Sequence, residues 1–188
     1  GFANGDTWSG IETVIGSAYN DKLTGDALAN TLIGGAGADV LAGGLGIDTA
    51  SYLYSTAGVT INLATNTATG GEAQGDTFSS IENLTGSALA DTLTGDAAAN
   101  TIVAGDGNDF VDGGNGNDVI YGGNGDDTLT GNYGTDKMYG GDGNDTLLAE
   151  WDEGNGDYYD GGEGIDTYKI DGTAVQSYAL QIDLTAGT

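Results

Sequence analysis

The sequence predicts an all-β, parallel solenoid in which very short strands alternate with glycine-rich turns. A nine-residue unit recurs thirteen times along the chain, and its eighth position is apolar in every copy. The first six positions of the unit are rich in glycine and aspartate, which are turn residues. Because a unit this short cannot bury its apolar residue alone, successive units must stack to build a core.

The units form two runs, separated by a segment that lacks the nine-residue period. The best-matched copies lie within 104–148, and a three-residue insertion, 149–151, interrupts the second run. Weaker copies, 16–33 and 86–103, begin the two runs. In order, the units occupy residues 16–24, 25–33, 34–42, 43–51, 86–94, 95–103, 104–112, 113–121, 122–130, 131–139, 140–148, 152–160 and 161–169.

A longer repeat encloses the short one. Residues 5–33 match residues 75–103, 70 positions later, at 18 of 29 positions. We therefore interpret the sequence as a piece of a longer tandem array. The predicted segments are the end of a preceding inter-block segment, a first solenoid block, an inter-block β segment, a second and longer block, and the start of a further inter-block segment: 1–15, 16–51, 52–85, 86–169 and 170–188.

Each unit is predicted to contain one turn and one strand. Glycines at positions one, two and four permit positive φ and close backbone approach. Positions seven to nine form a strand whose middle residue points to one face and its neighbours to the other, so the apolar eighth residue must face inward. Two units then make one 18-residue coil, and turns on the same edge stack about 4.8 Å apart.

The stacked turns bring the sixth residues of successive coils into a column. That residue is Asp in eleven units and Asn in two, Asn30 and Asn100. At an effective dielectric of about 20, two neighbouring carboxylates repel by about 3 kcal/mol, so the column needs a cation. Aspartates that merely solvate turns would not keep phase with an apolar residue two places later.

The charge and composition exclude several function classes. The net charge of −26 opposes binding to nucleic acid or to anionic membrane surfaces. No apolar run approaches the roughly 18 residues of a membrane span, so we expect no membrane insertion. Histidine and cysteine are absent, which removes the commonest general base and thiol chemistry. A phosphate-binding loop is disfavoured because no lysine directly follows a glycine, no helix is expected after the turns, and the net charge is strongly negative. We expect no enzymatic activity.

The units read G-G-x-G-x-D-x-U-x, with U apolar, and resemble the RTX family of secreted Gram-negative proteins. The resemblance implies a right-handed parallel β-roll with Ca²⁺ bound between stacked Gly-Asp turns. It also implies an extracellular or cell-surface location reached by type I secretion. In the family the ligands are turn carbonyls and the sixth-position carboxylates, here Asp21, Asp39, Asp48, Asp91, Asp109, Asp118, Asp127, Asp136, Asp145, Asp157 and Asp166. We expect turns bearing Asn30 and Asn100 to hold ions weakly or not at all.

Two features outside the units leave alternatives open. Four acids recur at the 70-residue offset, and we expect a structural or calcium role for them rather than paired-carboxylate catalysis: Asp6, Glu12, Asp76 and Glu82. Aromatic residues gather late in the chain, where they either pack on the roll or form a carbohydrate-stacking patch: Tyr121, Tyr133, Tyr139, Trp151, Tyr158, Tyr159, Tyr168 and Tyr178.

The predicted function is that of an extracellular calcium-binding module, structural or adhesive, within a larger secreted or surface-layer protein. Its expected partners are calcium ions, with cell-surface polysaccharide or other copies of the protein as further candidates. The alternative is a non-catalytic module of a secreted enzyme such as an epimerase, protease or lipase. An ice-binding roll is disfavoured because Lys22, Phe110 and Lys137 interrupt the threonine row at position seven.

Overall fold

The computed structural model describes residues 10–149 and 156–170. The expected inter-block segment 170–188 lies outside the described residues, apart from Ile170, and so do residues 1–9 of the first segment. The same is true of Asp6, Trp151 and Tyr178.

Strands of three to six residues account for almost all the regular structure. The first run and its continuation contain β1 (Thr13–Ile15), β2 (Lys22–Thr24), β3 (Thr31–Ile33), β4 (Val40–Ala42), β5 (Thr49–Ser51), β6 (Thr60–Asn62), β7 (Thr67–Thr69), a 3-10 turn (Gly71–Ala73), β8 (Thr77–Ser79) and β9 (Asn83–Thr85). The second run contains β10 (Thr92–Thr94), β11 (Thr101–Asp106), β12 (Phe110–Asp112), β13 (Val119–Asn124), β14 (Thr128–Thr130), β15 (Lys137–Asp142), β16 (Thr146–Ala149), β17 (Tyr158–Glu163) and β18 (Thr167–Ile170). No helix in the described part of the chain is long and apolar enough to cross a membrane.

The strands confirm the predicted 18-residue coil. Thr13 of β1 pairs in parallel with Thr31 of β3, and Thr92 of β10 pairs with Phe110 of β12. The spacing becomes 21 residues between Lys137 and Tyr158, because the insertion at 149–151 lengthens that coil. The chain is therefore an all-β, parallel β-roll, as the sequence predicts.

The two long faces of the roll differ in continuity. One face is an eight-stranded sheet, ordered β1-β3-β5-β9-β11-β13-β15-β17, which is unbroken because β5 pairs directly with β9. The opposite face is divided into a three-stranded sheet, β2-β4-β8, and a seven-stranded sheet, β18-β16-β14-β12-β10-β6-β7. Within the described residues, β6 and β7 form the one antiparallel strand pair. Residues 52–85 thus wind along both faces while dividing one of them.

The core is a file of eighth-position side chains between the two faces. Ten of them are at most 2% exposed: Leu32, Leu41, Ala50, Leu93, Ile102, Val111, Ile120, Leu129, Met138 and Leu147. Leu23 and Tyr159 are partly buried against this file. Tyr168 departs from the expectation and is 42% exposed, because it lies on β18, the outermost strand of its sheet.

The late tyrosines stack on one another along the outside of the eight-stranded sheet. The rings of Tyr121 and Tyr139 lie 4.9 Å apart with an interplanar angle of 10°, and Tyr158 tilts against Tyr139 at 5.5 Å. Such pairs contribute about 0.5–1.5 kcal/mol beyond area burial. The pair therefore packs on the outside of the roll, and each ring covers one face of its neighbour. Tyr121 remains 40% exposed, so the carbohydrate-stacking alternative stays open.

Candidate metal sites in the turns

The sixth residue of each unit immediately precedes a strand, so parallel pairing of the strands lines these residues up in three columns. The column along the eight-stranded sheet consists of Glu12, Asn30, Asp48, Glu82, Asn100, Asp118, Asp136 and Asp157. The columns on the opposite face consist of Asp21, Asp39 and Asp76, and of Asp91, Asp109, Asp127, Asp145 and Asp166. All eleven aspartates predicted as ligands are therefore members of a column.

One oxygen of each well-ordered carboxylate is held by the coil before it. The backbone N–H of Asp109 donates to Oδ1 of Asp127 at 2.8 Å, and the N–H of Asp127 donates to Oδ1 of Asp145 at 2.8 Å. On the other edge, the N–H of Asn100 donates to Oδ1 of Asp118 at 2.8 Å. These bonds fix the orientation of each carboxylate and leave its second oxygen to other partners.

Among the residues that the structure describes, six carboxylates have this second oxygen, Oδ2, buried without any hydrogen-bond partner: Asp39, Asp48, Asp109, Asp118, Asp127 and Asp145. Each of these residues is at most 3% exposed. A buried carboxylate oxygen without a donor or cation is strongly destabilising. Carboxylate and carbonyl oxygens are the ligands that calcium prefers, so these residues fit that ion.

The glycines around each carboxylate belong to the same arrangement. A Cβ at Gly113, the first residue of its unit, would lie 2.5 Å from Oδ2 of Asp118. Gly114 and Gly116, at positions two and four, adopt φ of 95° and 129°, a region that favours glycine. No group of three or more acidic, histidine or cysteine side chains able to hold a metal occurs among the described residues. An ion here would therefore take backbone carbonyls as well as carboxylates.

Burial changes the acidity of the central carboxylates. Burial raises the pKa of Asp127 to about 7, assisted by the charges of Asp109, Asp145 and Asp126 and opposed by the N–H of Asp109. Burial also raises the pKa of Asp118 to about 7 and that of Asp109 to about 6. In the absence of a cation, the folded roll therefore binds protons more tightly than the unfolded chain does.

These raised pKa values predict that the calcium-free chain folds more readily at low pH. A carboxylate whose pKa is raised on folding stabilises the fold below its unfolded pKa, near 4, and loses that contribution as pH rises through its folded pKa. For Asp109, Asp118 and Asp127 the loss spans pH 4 to about 7. Circular dichroism in chelator should therefore show more β-structure at pH 5 than at pH 8. Equal or smaller β-content at pH 5 would contradict the burial of these carboxylates.

Asp76 and Glu82 were not among the predicted ligands, yet they continue the columns. The N–H of Asp39 donates to Oδ1 of Asp76 at 2.7 Å, and the N–H of Asp48 donates to Oε2 of Glu82 at 2.8 Å. The hydroxyl of Tyr52, 2% exposed, donates to Oδ2 of Asp76 at 2.8 Å and closes that column. Each acid directly precedes a three-residue strand with an apolar centre, which is the sequence feature that could have revealed it.

Comparison with known proteins agrees with this geometry. The family model for the RTX calcium-binding nonapeptide repeat matches four times, at residues 9–27, 15–50, 85–120 and 112–147. Together the matches cover residues 9–50 and 85–147, more than half of the 188-residue chain. A search of curated proteins gives no match. The chain therefore belongs to the RTX calcium-binding nonapeptide repeat family and is a calcium-binding repeat module.

Proposed function

We propose that this chain is an extracellular structural or adhesive module that folds when its turns bind calcium, within a larger secreted or surface protein. The observation that carries the proposal is the set of six buried Oδ2 atoms without a partner, in a chain of net charge −26. Both features oppose folding without a cation. Family membership supports the choice of calcium.

The chain's own residues prepare each site. The N–H of the preceding coil holds one oxygen of the carboxylate, as between Asp109 and Asp127. In most units a glycine at position one lets the carboxylate pack against the backbone, and in the well-matched units glycines at positions two and four form the turn. Bound Ca²⁺ would supply positive charge to the column and link successive coils. The family pattern makes the eleven sixth-position aspartates candidate ligands, and those with an unpartnered Oδ2 have the strongest support.

An extracellular setting suits such sites energetically. Extracellular calcium modules typically bind with Kd of about 10⁻⁴–10⁻³ M, far weaker than cytosolic sensors. Sites in that range would be filled outside the cell and largely unfilled in the cytosol, so the chain would stay unfolded until export by type I secretion.

The adhesive and enzyme-associated versions of this function differ in what lies beside the module. A surface adhesin would present further repeats to polysaccharide or to other copies of the protein. The alternative, a non-catalytic module of a secreted epimerase, protease or lipase, would place a catalytic domain in the same polypeptide. The full-length gene distinguishes them, and the mutual stacking of Tyr121 and Tyr139 gives no support to polysaccharide binding at that patch.

The number of bound ions tests the proposal. The unpartnered Oδ2 atoms require at least five ions per chain, because Asp127 can share an ion with Asp109 or with Asp145. The thirteen units offer nine pairs two units apart within the runs. Isothermal titration and native mass spectrometry should therefore find at least five Ca²⁺ ions. Magnesium at equal concentration is the matched control and should not fold the chain, because it requires tight octahedral geometry and dehydrates reluctantly. Only one or two bound calcium ions would overturn the proposal.

A further inference from the structure

Most turns among the described residues are of two kinds, which differ at the second residue of the unit. We use "glycine turns" for units with glycine at positions two and four, and "capped turns" for the four weaker units, 16–24, 25–33, 86–94 and 95–103. Units 131–139, with Asn132 at position two, and 152–160 belong to neither kind. In every capped turn the N–H of the second residue donates to a side-chain oxygen of the sixth. The pairs are Ser17 to Asp21 at 2.6 Å, Asp26 to Asn30 at 2.7 Å, Ser87 to Asp91 at 2.5 Å and Asp96 to Asn100 at 2.8 Å.

Side chains add further bonds in the capped turns. The hydroxyl of Ser87 donates to Oδ1 of Asp91 at 2.9 Å. The amide Nδ2 of Asn100 donates to the backbone carbonyl of Glu82, one coil earlier, at 2.6 Å. Asn30 makes a similar bond at 3.2 Å to the carbonyl of Ile11, the residue before Glu12. In these two turns the side-chain N–H therefore occupies a backbone carbonyl, which is a type of oxygen that calcium uses as a ligand.

The glycine turns lack these bonds. Their second residues include Gly105, Gly114 and Gly123, with φ of 120°, 95° and 119°. None of the corresponding residues in the capped turns has positive φ. The unpartnered Oδ2 atoms all lie in glycine turns, and the sixth residues of the capped turns, although Asn30, Asp91 and Asn100 are at most 4% exposed, have protein donors instead. The backbone at position two therefore separates turns that need a cation from turns that do not.

We propose that the four capped turns hold no calcium and are closed by their own hydrogen bonds, so that each run begins with one ion-free coil. This inference rests on the proposed function and assigns where along the roll that function operates. The capped turns come in pairs, 16–33 and 86–103, and each pair is one complete 18-residue coil. The inference therefore removes Asp21 and Asp91 from the calcium ligands that the family pattern implies.

The substitution Asn100→Asp separates the two interpretations. If the turn at Asn100 is a weakened calcium site, restoring aspartate should lower the calcium midpoint of folding and add one bound ion. If the turn is capped, the substitution removes the donor to Glu82 and adds a buried charge. We then expect an unchanged ion count and a midpoint raised by about twofold, a modest change because several ions share one transition. An unchanged or lowered midpoint, or an added ion, overturns the inference.

The matched control is the reverse substitution in a glycine turn, Asp118→Asn. It should remove at least one ion and raise the midpoint, since Oδ2 of Asp118 has no protein partner. Asn30→Asp repeats the test in the first run, in case Asn100→Asp fails to fold. A crystal of the calcium-loaded wild-type chain gives a direct readout, with anomalous peaks expected beside Asp118 and none beside Asn100. A peak beside Asn100 refutes this inference alone, whereas a wild-type chain that ignores calcium refutes the proposed function.

Discussion

Removing calcium at neutral pH is expected to unfold this chain almost completely. In chelator at pH 7.5 the circular dichroism spectrum should be coil-like, and millimolar Ca²⁺ should restore a β-rich spectrum. The reason is that the carboxylate columns combine like charge with buried oxygens that no protein donor satisfies, as at Asp118 and Asp127. The roll is quasi-one-dimensional, so each coil depends on its neighbours and the transition should be cooperative.

Sodium chloride provides the control for this experiment. Salt at about 1 M shortens the Debye length to about 3 Å and screens exposed charges, but it screens buried pairs much less. If general repulsion from the net charge of −26 were the main obstacle, salt alone would fold the chain. We expect it not to do so, because the Oδ2 atoms require a coordinating cation. A chain fully folded in chelator would contradict the role of calcium altogether.

The periodic part of this structure could be predicted from sequence because the period itself fixes the geometry. A strand alternates with period two, so an apolar residue at position eight can only face inward, and Leu93 and Ile120 are both fully buried. Two units per coil then determine the 18-residue register seen between Thr92 and Phe110. The same register predicts that Asp21 and the other ten sixth-position aspartates lie in columns.

The aperiodic part could not be predicted in the same way. Residues 52–85 contain strands without a fixed spacing, so the register from Thr49 to Asn83 spans 34 residues and that from Val40 to Thr77 spans 37. The apolar residue two places after Asp76 and after Glu82 indicates that each could join a column, but which coil each acid stacks on follows only from the folded chain. The sequence likewise identifies the capped turns, because they lack glycine at position two. Whether the N–H of that residue donates to the sixth side chain, however, depends on the sign of its φ, which only the folded chain shows.

The stacking of the carboxylates also predicts that the contribution of a single aspartate to calcium-dependent folding depends on its position along the roll. The Asp127 carboxylate accepts the N–H of Asp109, and its Oδ2 is buried without a partner. Asp127→Ala therefore leaves a buried N–H unpaired, which costs about 1–3 kcal/mol, and removes a proposed calcium ligand. Asp21, by contrast, is bonded to the exposed Ser17 through both N–H and hydroxyl, and water can replace those bonds.

The measurement is the calcium midpoint of folding for single variants. Asp127→Ala should raise the midpoint severalfold and remove at least one ion, whereas Asp21→Ala should shift the midpoint by less than about twofold. Asp126→Ala is the charge-matched control, because Asp126 is exposed on the same turn and its charge acts on Asp127. The bonds that Asp126 accepts from the N–H and the Nδ2 of Asn144 are exposed, so water can replace them. If charge alone mattered, Asp127→Ala and Asp126→Ala would both lower the midpoint. If Asp21→Ala shifts the midpoint as much as Asp127→Ala does, then these carboxylates do not act as a stacked column, because an aspartate in a capped turn would contribute as much as one stacked between two glycine turns.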